Sequence, residues 1–409
     1  MTDGTMAVDF EERVNYKRLR QERLAKAKEQ LNAYNLGALL CYDFDNIRYI
    51  TGTHIGEWAR NKMQRYTILP KDAEPLLYDP AAPAKRKTAP WIADRVYPAV
   101  GSMRGSIPPE AGNVESLAKS IKQILIEYGI EKEPLGVDII DIPFYQALEK
   151  ENINVVDGQQ AMLDARQIKT KDEIEMLKLA AAMVDAAYYD IAVNIKPGIR
   201  ENDLVAIANK TLYTLGSDLV ECVNSVSGPR AHPHPHTFSD RIIRPGDMVF
   251  LDIMHSFNGY RTCYYRTFVC GKPTKAQVEA YEKAWDWLKK SIDAVKPGVT
   301  TADVASCWPA ADEFGFKDER EAFLLQFGHG IGMSIWEKPV ISRLFSFDYP
   351  FTIREGMTFA LETYCPASDG QGAARIEEEV LVTKDGCERL FKFPVEELIS
   401  CGVPGITFH

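Results

Sequence analysis

The sequence comprises 409 residues, of which 45% are hydrophobic and 26% are charged. This composition excludes wholesale disorder and a fibrous repeat, and the length excludes a disulfide-stabilised miniprotein. The net charge of -10, from 48 basic and 58 acidic residues, disfavours binding to nucleic acid or to an acidic membrane surface. We therefore predict a small-molecule partner.

The eight cysteines are scattered along the chain without a CxxC pair, which is typical of reduced thiols. Residues 1–31 are charged and lack the apolar run of a signal peptide, and no later stretch approaches about 18 uninterrupted apolar residues. These observations predict a cytoplasmic protein without a membrane anchor.

The first 160 residues alternate between helix-like and strand-like segments. The pattern predicts an amphipathic helix over 11–34, followed by strands over ALLCY (38–42), NIRYITG (46–52), 65–70 and 74–79. A small α/β domain with a mixed sheet fits this order. Because the chain then changes to long helices followed by strands, we predict two domains, 1–160 and 161–409.

An internal repeat organises the second domain. Thr170 to Glu173 fits a helix-capping box, and the helix that it begins stops at Lys-Pro-Gly 196–198. Thr274 to Gln277 fits a second capping box, and its helix stops at Lys-Pro-Gly 296–298. Lys-Pro-Gly alone is a common helix stop, but the matching caps favour duplication. We expect two similar α-β halves with a ligand between them.

Two residues near a strand hairpin are candidates for chemistry. Asp252 ends the apolar strand MVFLDIM, where a buried carboxylate is costly unless it is paired or binds a cation. Cys263 lies eleven residues later on the returning strand, so the hairpin can bring the two side chains together. Each also has a structural interpretation, Asp252 as a strand-end cap and Cys263 as a small core residue.

Further candidates lie in the last hundred residues. His329 is flanked by glycines in FGHGIGM, which leaves its imidazole unobstructed. Glu362 ends the apolar strand MTFALE, and Glu377 opens the triplet Glu377 to Glu379, whose alternation places Glu377 and Glu379 on one face. With Asp252, these residues form an oxygen-rich donor set with one nitrogen, suited to Mn, Fe, Zn or Co.

The segment SGPRAHPHPH alternates histidine with proline, and proline favours an extended backbone. A substrate-binding rim, a proton-transfer group and an adventitious metal site are all compatible with it. We favour the rim for one or two of the three histidines. The candidates in the segment are Arg230, His232, His234 and His236.

These segments together resemble the creatinase/prolidase superfamily of pita-bread enzymes, which includes aminopeptidase P, prolidase, creatinase, ectoine hydrolase and a dimethylsulfoniopropionate lyase. The resemblance extends over nearly the whole chain and rests on NIRYITG, the two Lys-Pro-Gly stops, SGPRAHPHPH, LDIMHSFNGYRTCYYRTF, GHGIGMSIWEKP, REGMTFALE and ARIEEEVLVTKDG, in the expected order. It implies a small N-terminal mixed-sheet domain, a C-terminal pita-bread domain and a homodimer.

The resemblance also assigns metal ligands. The family's first aspartate falls on Asp252, its histidine on His329, and its two glutamates on Glu362 and Glu377. Cys263 replaces the second aspartate, which bridges two metals in the peptidases, and a thiolate is a poor substitute for a bridging carboxylate. We therefore expect one divalent ion (Fe, Mn or Zn), with a metal-free site as the alternative.

The replacement of the bridging aspartate by Cys263 favours the branches of the family that do not cleave peptides. We predict a hydrolase or lyase that acts on a small polar or zwitterionic metabolite by C–N hydrolysis or β-elimination. The alternatives are a metal-dependent Xaa-Pro aminopeptidase or prolidase and a catalytically inactive binding protein. The predicted catalytic residues are Glu362, Glu377, His234 and, as a reserve base, Glu337; the predicted substrate-binding residues are Arg230, His232, His236, Trp336 and Tyr265.

Overall fold

The computed structural model describes residues 13–56, 58, 60 and 63–402, which divide into two compact units between Arg166 and Gln167. The domain boundary predicted at residue 160 falls within the last helix of the first unit. No helix among the described residues is both long and apolar enough to cross a membrane.

The first unit contains a six-stranded mixed sheet with the strand order β4-β3-β2-β1-β5-β6. Strand β1 is antiparallel to β2 and parallel to β5, and its four residues are all buried. The helices are α1 (Tyr16–Ala33), α2 (Phe44–Thr51), α3 (Ala82–Thr88), α4 (Asn113–Glu127), α5 (Ile142–Lys150) and α6 (Gln159–Arg166). The strands are β1 (Ala38–Cys41), β2 (Tyr66–Pro70), β3 (Leu76–Asp79), β4 (Val96–Pro98), β5 (Leu135–Val137) and β6 (Val155–Asp157).

The prediction of a strand over NIRYITG is wrong, because this segment forms helix α2. The Asp43 side chain caps the helix by accepting from the backbone N–H groups of Asp45 and Asn46 at 2.8 and 3.2 Å. Gly52 ends it in the left-handed conformation, with φ at 67°. Local capping therefore outweighs the β propensity of the isoleucines, the tyrosine and the threonine. The helix predicted over 11–34 begins at Tyr16, and positions 11 and 12 lie outside the described residues.

The second unit contains two five-stranded sheets, β16-β10-β8-β7 with β9 paired to β8, and β12-β11-β13-β14-β15. All pairings are antiparallel except that of β10 with β16. The helices are α7 (Lys171–Asn194), α8 (Glu201–Leu215), α9 (Lys275–Ala294), α10 (Thr301–Ala305) and α11 (Glu319–Ala322). The strands are β7 (Leu219–Ser227), β8 (Met248–Phe257), β9 (Tyr260–Arg261), β10 (Tyr265–Cys270), β11 (Phe327–Gly330), β12 (Glu337–Ile341), β13 (Thr358–Pro366), β14 (Ala373–Val382), β15 (Cys387–Arg389) and β16 (Ile399–Cys401).

The duplication predicted from the sequence recurs in the backbone hydrogen bonds. The capping box predicted at Thr274 forms with both of its hydrogen bonds at the start of α9. At the start of α7 the Thr170 N–H donates to the Glu173 carboxylate at 2.9 Å, whereas the Thr170 hydroxyl has no hydrogen-bond partner among the described residues. After each helix, the N–H of the Lys-Pro-Gly glycine donates to a backbone carbonyl. Gly198 donates to Ile243, which precedes β8, at 3.0 Å, and Gly298 donates to Ile353, which precedes β13, at 2.9 Å. Asp252 and Glu362 each follow that carbonyl residue by nine positions. They therefore occupy equivalent positions in the two halves.

The two sheets of this unit meet along β10 and β14. The Thr267 hydroxyl donates to the backbone carbonyl of Arg375 at 2.6 Å, and the Arg375 N–H donates back to it at 2.9 Å. On the same two strands, the buried Arg266 pairs with the buried Glu378. This junction brings the candidate residues of both halves to one place.

Candidate active site

Five predicted residues converge in a buried site within the second unit. Asp252, Cys263, His329, Glu362 and Glu377 are each at most 7% exposed. The register pairs Glu362 directly with Glu377 across β13 and β14. Potential ligand atoms of Cys263, His329 and Glu377 lie within 4.8 Å of one another, and the Cys263 sulfur lies 4.0 Å from Asp252 Oδ1.

A buried arginine that the sequence analysis did not identify completes the charge pattern. The Arg375 guanidinium forms an ion pair with Glu362, and both side chains are buried. Its Nη2 and Nη1 groups also donate to the carbonyls of Leu324 and Leu325 at 2.7 and 2.9 Å. Its Nε has no hydrogen-bond partner among the described residues. The guanidinium also lies 4.3 Å from the centre of the Tyr265 ring. Strand alternation held a signal for this residue, because Arg375 shares a face with Glu377, two positions later.

The site holds more negative charge than its own residues balance. Burial raises the pKa of Asp252 to about 6 and that of Glu362 to about 8, although Arg375 opposes both shifts. Burial also raises the pKa of Glu377 well above its ordinary value, and the neighbouring charges of Glu362 and Asp252 add to the effect. Three ionised carboxylates would face one guanidinium, so a cation would stabilise the ionised site.

His329 offers a nitrogen ligand. Its Nδ1 lies 3.0 Å from the carbonyl oxygen of Gly330, which can only accept, so Nδ1 carries the proton and Nε2 keeps its lone pair. Burial lowers the pKa of His329 to about 4, so the imidazole is neutral at physiological pH. Gly330 is required next to it, because a Cβ there would lie 2.5 Å from the Lys338 carbonyl oxygen.

The buried polar atoms of this site provide the test of whether a metal fits. Neither oxygen of the Glu377 carboxylate nor Nε2 of His329 has a hydrogen-bond partner among the described residues. Burial, followed by the negative charges of Glu377 and Asp252, raises the pKa of the Cys263 thiol well above its ordinary value. A divalent cation would compensate these unsatisfied donor atoms and stabilise the thiolate. The residues therefore fit a metal ion.

The histidine-proline segment contacts the walls of the site. The His232 Nδ1 lies 2.7 Å from the Tyr364 hydroxyl, and the His234 Nε2 lies 2.9 Å from the Tyr265 hydroxyl. The rings of His234 and His236 stack with their centres 3.9 Å apart. Burial lowers the pKa of all three histidines. Their assigned roles stay predictions.

Three other predicted residues have defined surroundings. Arg230 pairs with the buried Glu201, and Glu337 pairs with the buried Lys169 at 2.7 Å. Trp336 is 49% exposed, and its ring lies 4.6 Å from that of His329. The structure therefore places Arg230 and Glu337 in ion pairs, and Trp336 between the buried histidine and solvent.

Two family models match the chain. Residues 175–384 match metallopeptidase family M24, and residues 23–168 match the creatinase/prolidase N-terminal domain. An Xaa-Pro dipeptidase of Pyrococcus furiosus is 32% identical over 251 residues, which cover 59% of this chain and 69% of that protein. The dimethylsulfoniopropionate lyase DddP of Roseobacter denitrificans is 24% identical over 416 residues, which cover 96% of this chain and 89% of that protein.

Solved structures agree with this assignment of the fold. The dipeptidase PepE of Mycobacterium ulcerans has a TM-score of 0.75 and 24% identity, and the match covers 96% of this chain and all of that one. A prolidase of Thermococcus sibiricus has a TM-score of 0.76 and 23% identity, with 94% and 99% coverage. The predicted architecture, a mixed-sheet N-terminal domain and a C-terminal pita-bread domain, is confirmed. The chain belongs to metallopeptidase family M24, with a creatinase/prolidase N-terminal domain, and is an enzyme of the hydrolase or lyase type.

Proposed function

We propose that this enzyme acts on a small polar or zwitterionic metabolite, by C–N hydrolysis or β-elimination, with at most one divalent ion in its site. The observation that carries the proposal is the position of Cys263. Its thiol stands beside Glu377 and 4.0 Å from Asp252, at the position where the resemblance places the bridging aspartate of the peptidases. A thiolate does not replace a carboxylate that holds two hard ions together.

The donor set indicates which ion would bind. Cys263, His329 and Glu377 would supply a thiolate, a neutral imidazole and a carboxylate, with Asp252 adjoining. The thiolate and one carboxylate together match the charge of a single divalent ion. Sulfur and nitrogen donors favour Zn²⁺ or Fe²⁺ over Mn²⁺. When bound, the ion would supply a Lewis acid that stabilises negative charge developing on the substrate.

The protein's own groups would bind substrate and move protons. Because neither oxygen of Glu377 has a hydrogen-bond partner in the described part of the chain, one can face a cation while the other accepts a proton from water or from a substrate C–H group. The Glu362 carboxylate is held beside Glu377 by its ion pair with Arg375, so it can bind a cationic group of the substrate. The exposed face of Trp336 can contact a quaternary ammonium or sulfonium group.

An Xaa-Pro dipeptidase is the second candidate, and the 32% identity to the Pyrococcus furiosus enzyme favours it. The similarity to DddP extends over 96% of this chain, whereas the similarity to the dipeptidase extends over 59%. The longer match supports a lyase or a related small-molecule enzyme. We also propose that the protein is cytoplasmic and forms a homodimer. Light scattering would test the dimer by showing twice the chain mass.

Metal content and turnover together test this function. Protein purified without a histidine tag is analysed for metals, loaded separately with Zn²⁺, Fe²⁺, Mn²⁺ and Co²⁺, and offered two substrate panels. One panel contains Xaa-Pro dipeptides; the other contains quaternary ammonium and sulfonium carboxylates, assayed for released amine or volatile sulfide. We expect at most one ion per chain and turnover in the second panel that Glu377→Gln abolishes.

A matched control is His255→Gln, because His255 is buried outside the site and hydrogen-bonds to Ala180 and Ser217. It should retain turnover. Two ions per chain together with proline release would overturn the proposal in favour of the dipeptidase. Binding of a zwitterion without turnover under any metal would favour the inactive binding protein.

A further inference from the structure

A hydrogen bond links His234 of the histidine-proline segment to Tyr265, which is paired with Asp252 in the register of β10 and β8. We propose that His234 and Tyr265 are positioning residues, which hold the Asp252 carboxylate in a fixed orientation beside Cys263. The proposal rests on the proposed function, in which Asp252 adjoins the cation. It assigns His234 a role other than proton transfer.

The first step fixes which nitrogen of His234 carries the proton. The backbone N–H of His236 points at Nδ1 of His234, at 3.1 Å. A backbone N–H can only donate, so Nδ1 must be the acceptor and the proton of the neutral ring lies on Nε2. Nε2 lies 2.9 Å from the Tyr265 hydroxyl oxygen, to which it therefore donates.

The second step concerns the hydroxyl group of Tyr265 and its position relative to Asp252. Because the Tyr265 oxygen accepts from His234, its own O–H remains available to donate. Tyr265 is paired with Asp252 in the register of β10 and β8, and, against the larger effect of burial, its hydroxyl lowers the pKa of the Asp252 carboxyl. The proposal assigns the Tyr265 O–H as a donor to that carboxylate. A tyrosine side chain has an ordinary pKa of about 10, so at neutral pH it is a phenol that can donate.

A second donor completes the orientation of the carboxylate. The Asn224 side-chain N–H donates to Asp252 Oδ2 at 3.1 Å, while Oδ1 is the oxygen 4.0 Å from the Cys263 sulfur. Donors on β7 and β10 thus fix the plane of Asp252 and leave Oδ1 towards the thiol. Such outer hydrogen bonds typically change metal affinity by about 10–100-fold when they are removed.

The neighbouring His232 shows that this arrangement is not a general property of the segment. Its Nδ1 also meets a tyrosine hydroxyl, that of Tyr364, but the Tyr364 O–H donates to the backbone carbonyl of Ala231 at 2.8 Å. The hydrogen bonds from His232 therefore end at a backbone carbonyl of the same segment. Of these two histidines, His234 contacts the tyrosine that is paired with a carboxylate of the candidate site.

Cobalt binding by variants tests the positioning role. Co²⁺ is titrated into the apoprotein against a competing chelator, and binding is followed by visible absorption. We expect Tyr265→Phe and His234→Leu to weaken Co²⁺ binding by about 10–100-fold. His234→Gln should recover most of the affinity, because its amide N–H can still donate to Tyr265. The matched control is Tyr281→Phe, which removes a buried hydroxyl that donates only to the Val395 carbonyl at 2.9 Å.

Nitrogen NMR of ¹⁵N-histidine protein tests the hydrogen-bond direction without metal or substrate. We expect His234, assigned by loss of its signal in His234→Gln, to be neutral with its proton on Nε2. A proton on Nδ1 would overturn the proposal, and so would wild-type Co²⁺ affinity in both His234→Leu and Tyr265→Phe. If Tyr265→Phe fails to fold, the comparison of His234→Leu with His234→Gln decides. A wild-type protein that binds no Co²⁺ would refute the metal-dependent function, while the NMR result would still decide the direction of the hydrogen bond between His234 and Tyr265.

Discussion

Replacing Cys263 by aspartate tests the electrostatic reasoning about this site. The substitution adds a fourth carboxyl group to Asp252, Glu362 and Glu377, while Arg375 remains the guanidinium that offsets them. The Cys263 sulfur lies 4.0 Å from Asp252 Oδ1. Two like charges at that separation repel by about 4 kcal/mol at an effective dielectric constant near 20.

Protonation sets a ceiling on this cost. A carboxyl with an ordinary pKa of about 3.9 can take up a proton at pH 7 at a cost of about 4 kcal/mol. Repulsion between the two charges and protonation of the new carboxyl each cost about 4 kcal/mol. The metal-free Cys263→Asp variant should therefore be less stable than wild type by up to about 4 kcal/mol. Added Mn²⁺ or Co²⁺ should reverse the loss, because two ions can now be bridged.

Urea unfolding with and without metal measures the stability, and elemental analysis counts the ions per chain. Cys263→Ser is the control, since it changes the side chain without adding a charge, and it should not increase the metal content. Wild-type stability of the metal-free Cys263→Asp variant, together with an unchanged ion count, would refute the reasoning. That outcome would mean that the Asp252 carboxyl is already protonated or is directed away from position 263.

Three further predictions concern other buried groups. Asp138→Asn should destabilise the protein by about 1–3 kcal/mol in urea unfolding, because Asp138 accepts from three backbone N–H groups and from Asn46; an unchanged midpoint would contradict this. Lys169→Met should cost about 3–5 kcal/mol, because it removes the ammonium from its buried pair with Glu337, and Glu337→Gln in the same chain should restore part of the loss. Burial lowers the pKa of His255 to about 4, so its contribution to stability is present above pH 6.5 and is lost as the pH falls towards 4. Wild type should therefore lose about 3 kcal/mol more than His255→Gln over that interval, and parallel pH profiles would refute the assignment.

Local signals predicted much of the second unit. The capping box at Thr274, the Glu173 half of the one at Thr170 and the glycine stops form as the sequence indicated, because each depends on contacts within a few residues. The same kind of signal was overlooked in the first unit. Asp43 and Gly52 mark the two ends of α2, and they outweigh the strand-like composition between them.

Contacts between strands were less accessible from the sequence. Asn224 faces Asp252 across β7 and β8, yet nothing in its local sequence distinguishes it from other polar residues of the strand. The histidine-proline segment posed the same difficulty, because a repeated pattern suggested a shared role. In the structure, His232 and His234 contact different tyrosines with different onward partners.

The triplet Glu377 to Glu379 shows why a candidate site needs the fold as well as the pattern. Strand alternation separates Glu378 from its neighbours, and Glu378 pairs with Arg266. Glu379 shares the face of Glu377, but one of its oxygens accepts the backbone N–H of Cys263 at 2.8 Å. Both oxygens of Glu377 lack a protein hydrogen-bond partner among the described residues. Of three adjacent identical side chains, one is thus ion-paired, one accepts from the backbone and one has no hydrogen-bond partner among the described residues, and only the last is suited to the proposed chemistry.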